Sequence, residues 1–370
     1  MSRLEFMLQP AAQPLTTAWQ ELPVAPRQGT LLGISFRPLQ AAAFGLEARA
    51  SLRALLVYPY QLIRLGAYWD QIEPEPGAFQ TDALDWQIEA AEQAGKQIIV
   101  CLGPLKTFGY PEFFVPAHQL RQAFPEHTLI QPSAYPALLA AATGFIQRLV
   151  ARYQARESIV AWQLEHEAVD PLGVAHSWRL AAGWVEQELA ALRQADPGRP
   201  VMLNGFLPTT WPVRLSQGWS THDQGDSLAL AQRLADLVGI DYYPRNALVA
   251  VGGRTLYLDG SRSRWQQQRR AQLLAWAAAH GKKLLISEGQ AEPWETQTTP
   301  PNPPGQGMSS CLPEHLIGNY NDCLGDPGAA GALYAYLFWG AEYWLLREQA
   351  GDASYLRAFA RLLEQAGSPD

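Results

Sequence analysis

The chain has 370 residues, of which 48% are apolar and 17% charged, enough hydrophobic material for one large core and too much for a disordered chain. Its formal net charge of −7 gives no basic footprint, which argues against nucleic acid and anionic membranes and in favour of a neutral or small polar ligand. Thirteen Trp residues are many for this length, and flat indole faces suit the apolar faces of sugar rings as well as a core.

Residues 1–28 show no periodicity and are expected to be an extension packed against a single main domain, 29–370. Met1 to Gln20 lack a basic stretch followed by an apolar run, and no later segment is apolar for long enough to span a bilayer. The expectation is a soluble cytoplasmic protein with no membrane partner. Short apolar runs then alternate with longer amphipathic ones. The strand candidates are 31–36 (LLGISF), 61–66 (QLIRLG), 97–102 (QIIVCL), 159–164 (IVAWQL), 200–204 (PVMLN), 237–242 (LVGIDY), 282–287 (KKLLIS) and 333–339 (LYAYLFW). Helical patterns lie at Thr81 to Ala94, Ser133 to Tyr153, Ser177 to Ala195, Trp265 to His280 and Tyr355 to Glu364. Thr81 is a candidate N-cap with Asp82 and Asp85 in the first turn, and Asp196-Pro197-Gly198 stops the helix before the fifth strand.

Eight alternations favour an α/β fold closed as a single (β/α)8 TIM barrel over an open doubly wound sheet, and no Gly-rich turn after the first strand suggests a nucleotide site. The informative residues of such a barrel are those at the C-terminal ends of its strands. Long loops rich in Pro and aromatics follow strand three (Gly103 to Pro132), strand five (Gly205 to Gly225) and strand seven (Gly289 to Pro313), as walls or lids of a pocket would. Three cysteines cannot make a disulfide framework. Cys101 reads as a buried strand thiol, and Cys311 and Cys323, despite His315 between them, read as two free loop thiols because the spacing fits no standard zinc pattern. No metal or cofactor is expected.

Strand four continues from Gln163-Leu164 into Glu165-His166-Glu167, and strand seven leads directly into Glu288. Glycoside hydrolysis needs two carboxyl groups flanking one bond, one holding a proton and the other ionised to attack the anomeric carbon. Strands four and seven lie on opposite sides of a ring of eight, and a carboxyl separation of about 5 to 5.5 Å would make the reaction retaining. A lone Glu after a strand is usually a solvated loop residue; two at these two strands shift the balance toward chemistry. Arg64, inside Leu62-Ile63-Arg64-Leu65, is too costly to bury alone and is expected to face Glu288, with a structural salt bridge to Asp70 or Glu73 as the alternative.

These residues resemble the glycoside hydrolase clan A group of (β/α)8 barrels with catalytic glutamates after strands four and seven. The resemblance spans roughly residues 31–345 and includes Ile63-Arg64-Leu65-Gly66-Ala67-Tyr68-Trp69 through Ile72-Glu73-Pro74-Glu75-Pro76-Gly77 to Leu84-Asp85. The long helix ending in Arg152-Tyr153 is similar to that of the clan's β-galactosidases and cellulase-like members. The resemblance implies Glu167 as acid/base and Glu288 as nucleophile. It departs at His166, which stands where the clan has the Asn that holds the sugar 2-hydroxyl, a role His fills only in a suitable tautomer. It further implies that Tyr243, in Asp241-Tyr242-Tyr243-Pro244, hydrogen-bonds the nucleophile, and that Trp339, in Phe338-Trp339-Gly340, floors the sugar subsite. Trp69 and Trp294 are further candidates for sugar stacking, with Trp211 and Trp344 behind them. The expected function is a retaining β-glycosidase acting on a carbohydrate substrate. A catalytically inactive sugar-binding barrel and a transglycosylase using the same glutamates are the alternatives, and a metal-dependent hydrolase using His166 and His118 is the weakest. Glu165 and Glu292 are the reserve carboxylates.

Overall fold

The computed structural model describes residues 5–10, 19–120, 122–170, 176–211, 214–215, 219, 224–251, 254–261, 263–293, 310–326, 328–329 and 331–367. Its strands are β1 (Glu5–Pro10), β2 (Leu31–Ser35), β3 (Leu62–Gly66), β4 (Gln97–Cys101), β5 (Leu129–Ile130), β6 (Ile159–Gln163), β7 (Arg179–Leu180), β8 (Val201–Phe206), β9 (Leu237–Tyr242), β10 (Arg245–Val251), β11 (Arg254–Asp259), β12 (Lys283–Gln290) and β13 (Leu333–Trp339). Eight of them close a barrel in the order β12-β13-β2-β3-β4-β6-β8-β9. The pairing is parallel, with Ala335 to Phe338 of β13 opposite Leu31 to Ile34 of β2 and Ile98 to Cys101 of β4 opposite Ile159 to Gln163 of β6. Helices over Asp82–Gln93, Pro136–Tyr153, Ala182–Ala195, Ser227–Leu234, Arg264–Ala279 and Pro313–Leu324 separate consecutive strands, so this is the (β/α)8 TIM barrel expected from the alternation. Strands such as β3 and β9 are buried along their whole length, which is why they read as near-continuous apolar runs rather than alternating ones.

By packing, the chain divides into two compact units, one of residues 1–62, 207–214 and 240–370, the other of 63–206 and 215–239. In the first, the unexpected element is a three-stranded antiparallel sheet, β1-β11-β10, in which Glu5 to Pro10 pair with Asp259 to Arg254. In the second, the helix expected from Ser177 starts only at Ala182, because β7 first pairs with β5: Arg179 N donates to Thr128 O at 3.1 Å and Ala181 N to Ile130 O at 3.0 Å. Thr81 does occupy the N-cap position, but its hydroxyl donates to Asp85 Oδ2 at 2.9 Å instead of accepting a backbone N–H.

Two details of backbone prepare the strand ends. Strand seven runs three residues further than its apolar pattern, so Glu288 lies within β12, and the register against β13 slips between Ile286 and Gly289. Such a bulge turns a side chain out of simple alternation. Gly289 is required there, since a Cβ would come within 2.3 Å of the Tyr336 ring. Gly103, after β4, has the same need: its Cβ would lie 2.6 Å from Glu165 N, so only glycine lets this loop press against the end of strand four.

Candidate active site

At the end of β6 the chain leaves regular strand geometry at once, with φ of +25° at Glu165 and +44° at Glu167. Left-handed backbone at two non-glycine residues costs roughly 1–2 kcal/mol each and persists only where surroundings over-determine it. Here Lys106 does so with three of its groups. Its N–H donates to Glu165 Oε2 at 2.5 Å, its carbonyl accepts from His166 N at 2.7 Å, and its buried Nζ donates to Glu167 O at 3.1 Å and Asp170 O at 3.3 Å. Glu112, 3.8 Å from Nζ, supplies the counter-charge.

Glu165 is fully buried behind this turn. It accepts N–H bonds from Lys106 and from Leu105, the latter at 3.1 Å, and has the buried Glu188 carboxyl beside it, whose Oε1 accepts from Trp184 Nε1 at 2.7 Å. Burial pushes the Glu165 carboxyl up to about 7 against these bonds, and burial together with the Glu165 charge drives Glu188 well above the usual carboxylate range. Both carboxyls are thus pushed toward their protonated forms. Glu165, a reserve carboxylate in the sequence, is structural: it holds the turn that presents Glu167, which is 9% exposed.

Beneath the turn runs a chain of side-chain hydrogen bonds. Arg64 Nε donates to Gln163 Oε1 at 2.7 Å, Gln163 Nε2 to Asn204 Oδ1 at 2.9 Å, and Asn204 Nδ2 approaches His166 Nδ1 at 2.9 Å. Arg64 Nη2 lies 3.4 Å from the same Nδ1, and the guanidinium sits 4.0 Å from the centre of the Phe108 ring. Glu73 is engaged by Trp69 Nε1, His118 and Gln119 and not by Arg64, so the salt bridge offered as an alternative is not formed. Burial first, then the Arg64 and Lys106 charges, hold His166 well below the ordinary imidazole range, and it is neutral.

The end of strand seven is built differently. Tyr243 Oη donates to Glu288 Oε2 at 2.8 Å, and burial, followed by the Glu288 and Asp241 charges, keeps its hydroxyl protonated. Tyr242 points the other way, against Arg270 with its hydroxyl toward Asp322, as strand alternation requires. Ser287 Oγ donates to Asp241 Oδ1 at 2.7 Å. Four residues past Glu288, Glu292 is locked in a buried triad, 2.7 Å from Arg37 Nη1, while Glu342 lies 2.6 Å from Arg37 Nη2. The second reserve carboxylate is thus also structural. The Arg37 guanidinium lies 4.3 Å from the centre of the Trp339 ring, fixing that indole where β13 ends.

Other candidates fare unequally. Trp69 is wholly buried, bonded through Nε1 to Glu73 Oε2 at 3.0 Å and packed against Phe145, so it belongs to the core and not to a sugar platform. Trp344 is likewise core, donating to Ala291 O at 2.7 Å. Trp211 is exposed, and Trp294 lies outside the described residues. His118 is paired with Glu73 at 3.3 Å. Cys323 is on a helix, not in a loop, and His315 Nδ1 accepts from Leu312 N at 3.0 Å, capping that helix. The residues missed in the sequence are Lys106, Gln163, Glu188, Asn204 and Arg37. Only Gln163 and Asn204, polar residues near the ends of apolar strands four and five, carried a legible signal.

No family's sequence profile matches the chain, and no curated protein does. Solved structures match along most of its length. A GH5_18 protein from Streptomyces cattleya, in complex with GlcNAc, aligns over 94% of this chain and 83% of its own with a TM-score of 0.59 at 15% identity. Xylanase 10B from Thermotoga petrophila, in complex with xylobiose, aligns over 94% and 99% with a TM-score of 0.54 at 14% identity. A β-galactosidase from Marinomonas ef1 aligns over 90% and 59% with a TM-score of 0.54 at 12% identity. The fold is shared. At these identities the likeness establishes the barrel, and what the strand ends do rests on their own geometry.

Proposed function

We propose that the protein is a retaining β-glycosidase in which Glu288 is the nucleophile and Glu167 the acid/base. The observation that carries this reading is the Tyr243 hydroxyl donating to Glu288 at the bulged end of strand seven. A phenol that stays protonated holds the carboxylate ionised and aims one lone pair, leaving the other oxygen to attack an anomeric carbon. Glu167 donates its proton to the departing glycosidic oxygen while Glu288 forms a glycosyl ester; Glu167 then takes a proton from water, which displaces the ester with a second inversion. Arg64, His166, Tyr243 and Trp339 are assigned to substrate binding and to holding the two carboxylates, with residues 29–370 as the catalytic barrel and 1–28 as its extension. The sugar-bound neighbours support a carbohydrate as the ligand of a barrel of this kind.

Azide tests the roles. Glu167→Ala should keep its first step on activated aryl β-glycosides and regain turnover with azide, giving the β-glycosyl azide. Glu288→Ala should give only the α-azide. Exchanged behaviour reverses the roles. Full activity in both variants moves the chemistry elsewhere. An active wild type should also be labelled on Glu288 by a 2-fluoro glycoside; a protein that binds sugar without labelling is a lectin-like barrel.

A further inference from the structure

Tyr243 lies one residue beyond the end of β9, and Pro244 after it has no N–H with which to extend a ladder. Glu288 lies where the register of β12 against β13 slips. Two residues past each of them, one side chain takes over from the backbone. Gln290, fully buried at the end of β12, accepts from Arg245 N through Oε1 at 3.2 Å and donates from Nε2 to Arg245 O at 3.2 Å, the two backbone bonds that a neighbouring strand would otherwise supply. Its amide cannot be turned end for end, because a backbone N–H only donates and a carbonyl only accepts. Nε2 also reaches Ser310 O at 3.4 Å. The Gln290 carbonyl in turn accepts from Nδ2 of Asn319, on the helix Pro313–Leu324, at 2.8 Å, and Asn319 Oδ1 accepts from Arg245 Nη1 at 2.8 Å. Gln290, Asn319 and Arg245 so form a closed ring of hydrogen bonds, and Asp259, 2.9 Å from Arg245 Nε, balances the charge of the guanidinium.

We propose that Gln290 is a positioning residue for the nucleophile: with Arg245 and Asn319 it ties the exit of strand six to the exit of strand seven and so keeps the Tyr243 hydroxyl on Glu288. The ring grips the chain two residues from each partner, at Arg245 for Tyr243 and at Gln290 for Glu288. A hydroxyl–carboxylate bond of 2.8 Å is lost on a displacement of about 1 Å, and two residues of chain are too short a lever to absorb one. A buried polar ring whose members are mutually satisfied is rigid, and deleting one member leaves the others unpaired, so the ring holds or opens as a unit. Gln290 acts through Tyr243 and not on the sugar. The coupling of Gln290 to the Tyr243–Glu288 bond is a matter of geometry alone; its service to catalysis rests on the glycosidase reading above.

The coupling is read without turnover by NMR titration of the Glu288 carboxyl in the full chain carrying 13C at the glutamate carboxyls, its resonance being assigned by disappearance in Glu288→Gln. Asp241 and Glu292, whose charges also bear on Tyr243, are common to the proteins compared. Tyr243→Phe, which deletes the hydroxyl, should raise the Glu288 midpoint by about one to two pH units, the equivalent of one hydrogen bond to a charged group. Gln290→Met, similar in length and unable to bridge, should raise it by about half as much or more, and the double variant no further than Tyr243→Phe alone. Asn319→Leu opens the ring from its far side without adding charge and should move the midpoint the same way, by less. If Gln290→Met does not fold, Asn319→Leu decides. A midpoint unchanged in the ring variants, or shifts that add in the double variant, overturns the positioning role and leaves Gln290 as a stabilising residue only. With aryl β-glycosides the acidic limb of kcat/KM should move with the midpoint. A wild type that turns over no aryl glycoside while the midpoints behave as expected overturns the glycosidase reading, and the positioning of Glu288 stands; an active enzyme whose midpoint ignores Gln290 does the reverse.

Discussion

The ends of strands four and seven present one carboxylate each by opposite means. Strand seven stays in the sheet: a single extra residue turns Glu288, Tyr243 gives it one directed hydrogen bond, and Glu292, four residues on, is paired with Arg37 in a buried triad. Strand four abandons strand geometry, puts two non-glycine residues at positive φ, and holds them by one lysine and a buried carboxyl, Glu165, with a second carboxyl, Glu188, behind it. The first arrangement combines a phenol hydroxyl with a buried arginine–carboxylate triad, the second a buried lysine with a carboxyl pair raised by burial. One end should accordingly be less sensitive to pH than the other, as the proposed roles of nucleophile and acid/base would require.

The largest effect tests the charge-fixed end. Arg37→Met leaves Glu292 and Glu342 buried without their cation and should cost about 3–5 kcal/mol in urea unfolding. A loss under about 1 kcal/mol would mean that the triad protonates easily and that this end is not charge-fixed. Next comes Lys106→Met, which leaves the carbonyls of Glu167 and Asp170 without their donor and Glu112 without its counter-charge. It should cost about 2–4 kcal/mol and lower turnover of poor leaving groups more than of activated ones, because it disturbs the acid and not the nucleophile. Equal losses on both substrates would remove the distinction between the two ends.

Tyr243→Phe deletes only the hydroxyl that bonds Glu288. A hydrogen bond to a charged group contributes about 1.5–3 kcal/mol, so kcat should fall roughly 10- to 100-fold with little change in melting temperature. Unchanged kcat would strip Tyr243 of its role. The smallest effect concerns the acid pair. The Glu165 carboxyl is raised from an ordinary 4.5 to about 7, and Glu188 is raised further. Both shifts are upward, so the stability they give is full below about pH 4.5 and is lost as pH rises through 7 and beyond. Glu188→Gln, which removes one of the two titrating carboxyls, should flatten the fall in melting temperature between pH 6 and 9. An unaltered slope would place the pH dependence elsewhere.

By itself the sequence determined the barrel and the position of Glu167 and Glu288 at the ends of two of its strands. The barrel strands are buried along most of their length, so each apolar run is a local signal, and eight of them at regular spacing admit few closures. Glu167 and Glu288 follow or end such runs and could be placed by counting. Tertiary structure decided what no local pattern carries. Glu165 and Glu167 are two apart and by strand alternation should share a face, yet their surroundings differ because Lys106, about sixty residues back, sets the backbone between them. The hydrogen-bond chain under His166 joins positions separated by 99 and 41 residues. Trp69 and Trp339 are equally aromatic on paper and both are buried; one packs on Phe145 and the other under Arg37. Pairing of β1 with β11 joins segments some 250 residues apart in the chain, which a six-residue segment without alternation could not announce. Propensity and pattern act over a few residues, whereas the protonation state and aim of a buried side chain depend on groups that only the closed sheet brings within 3 Å.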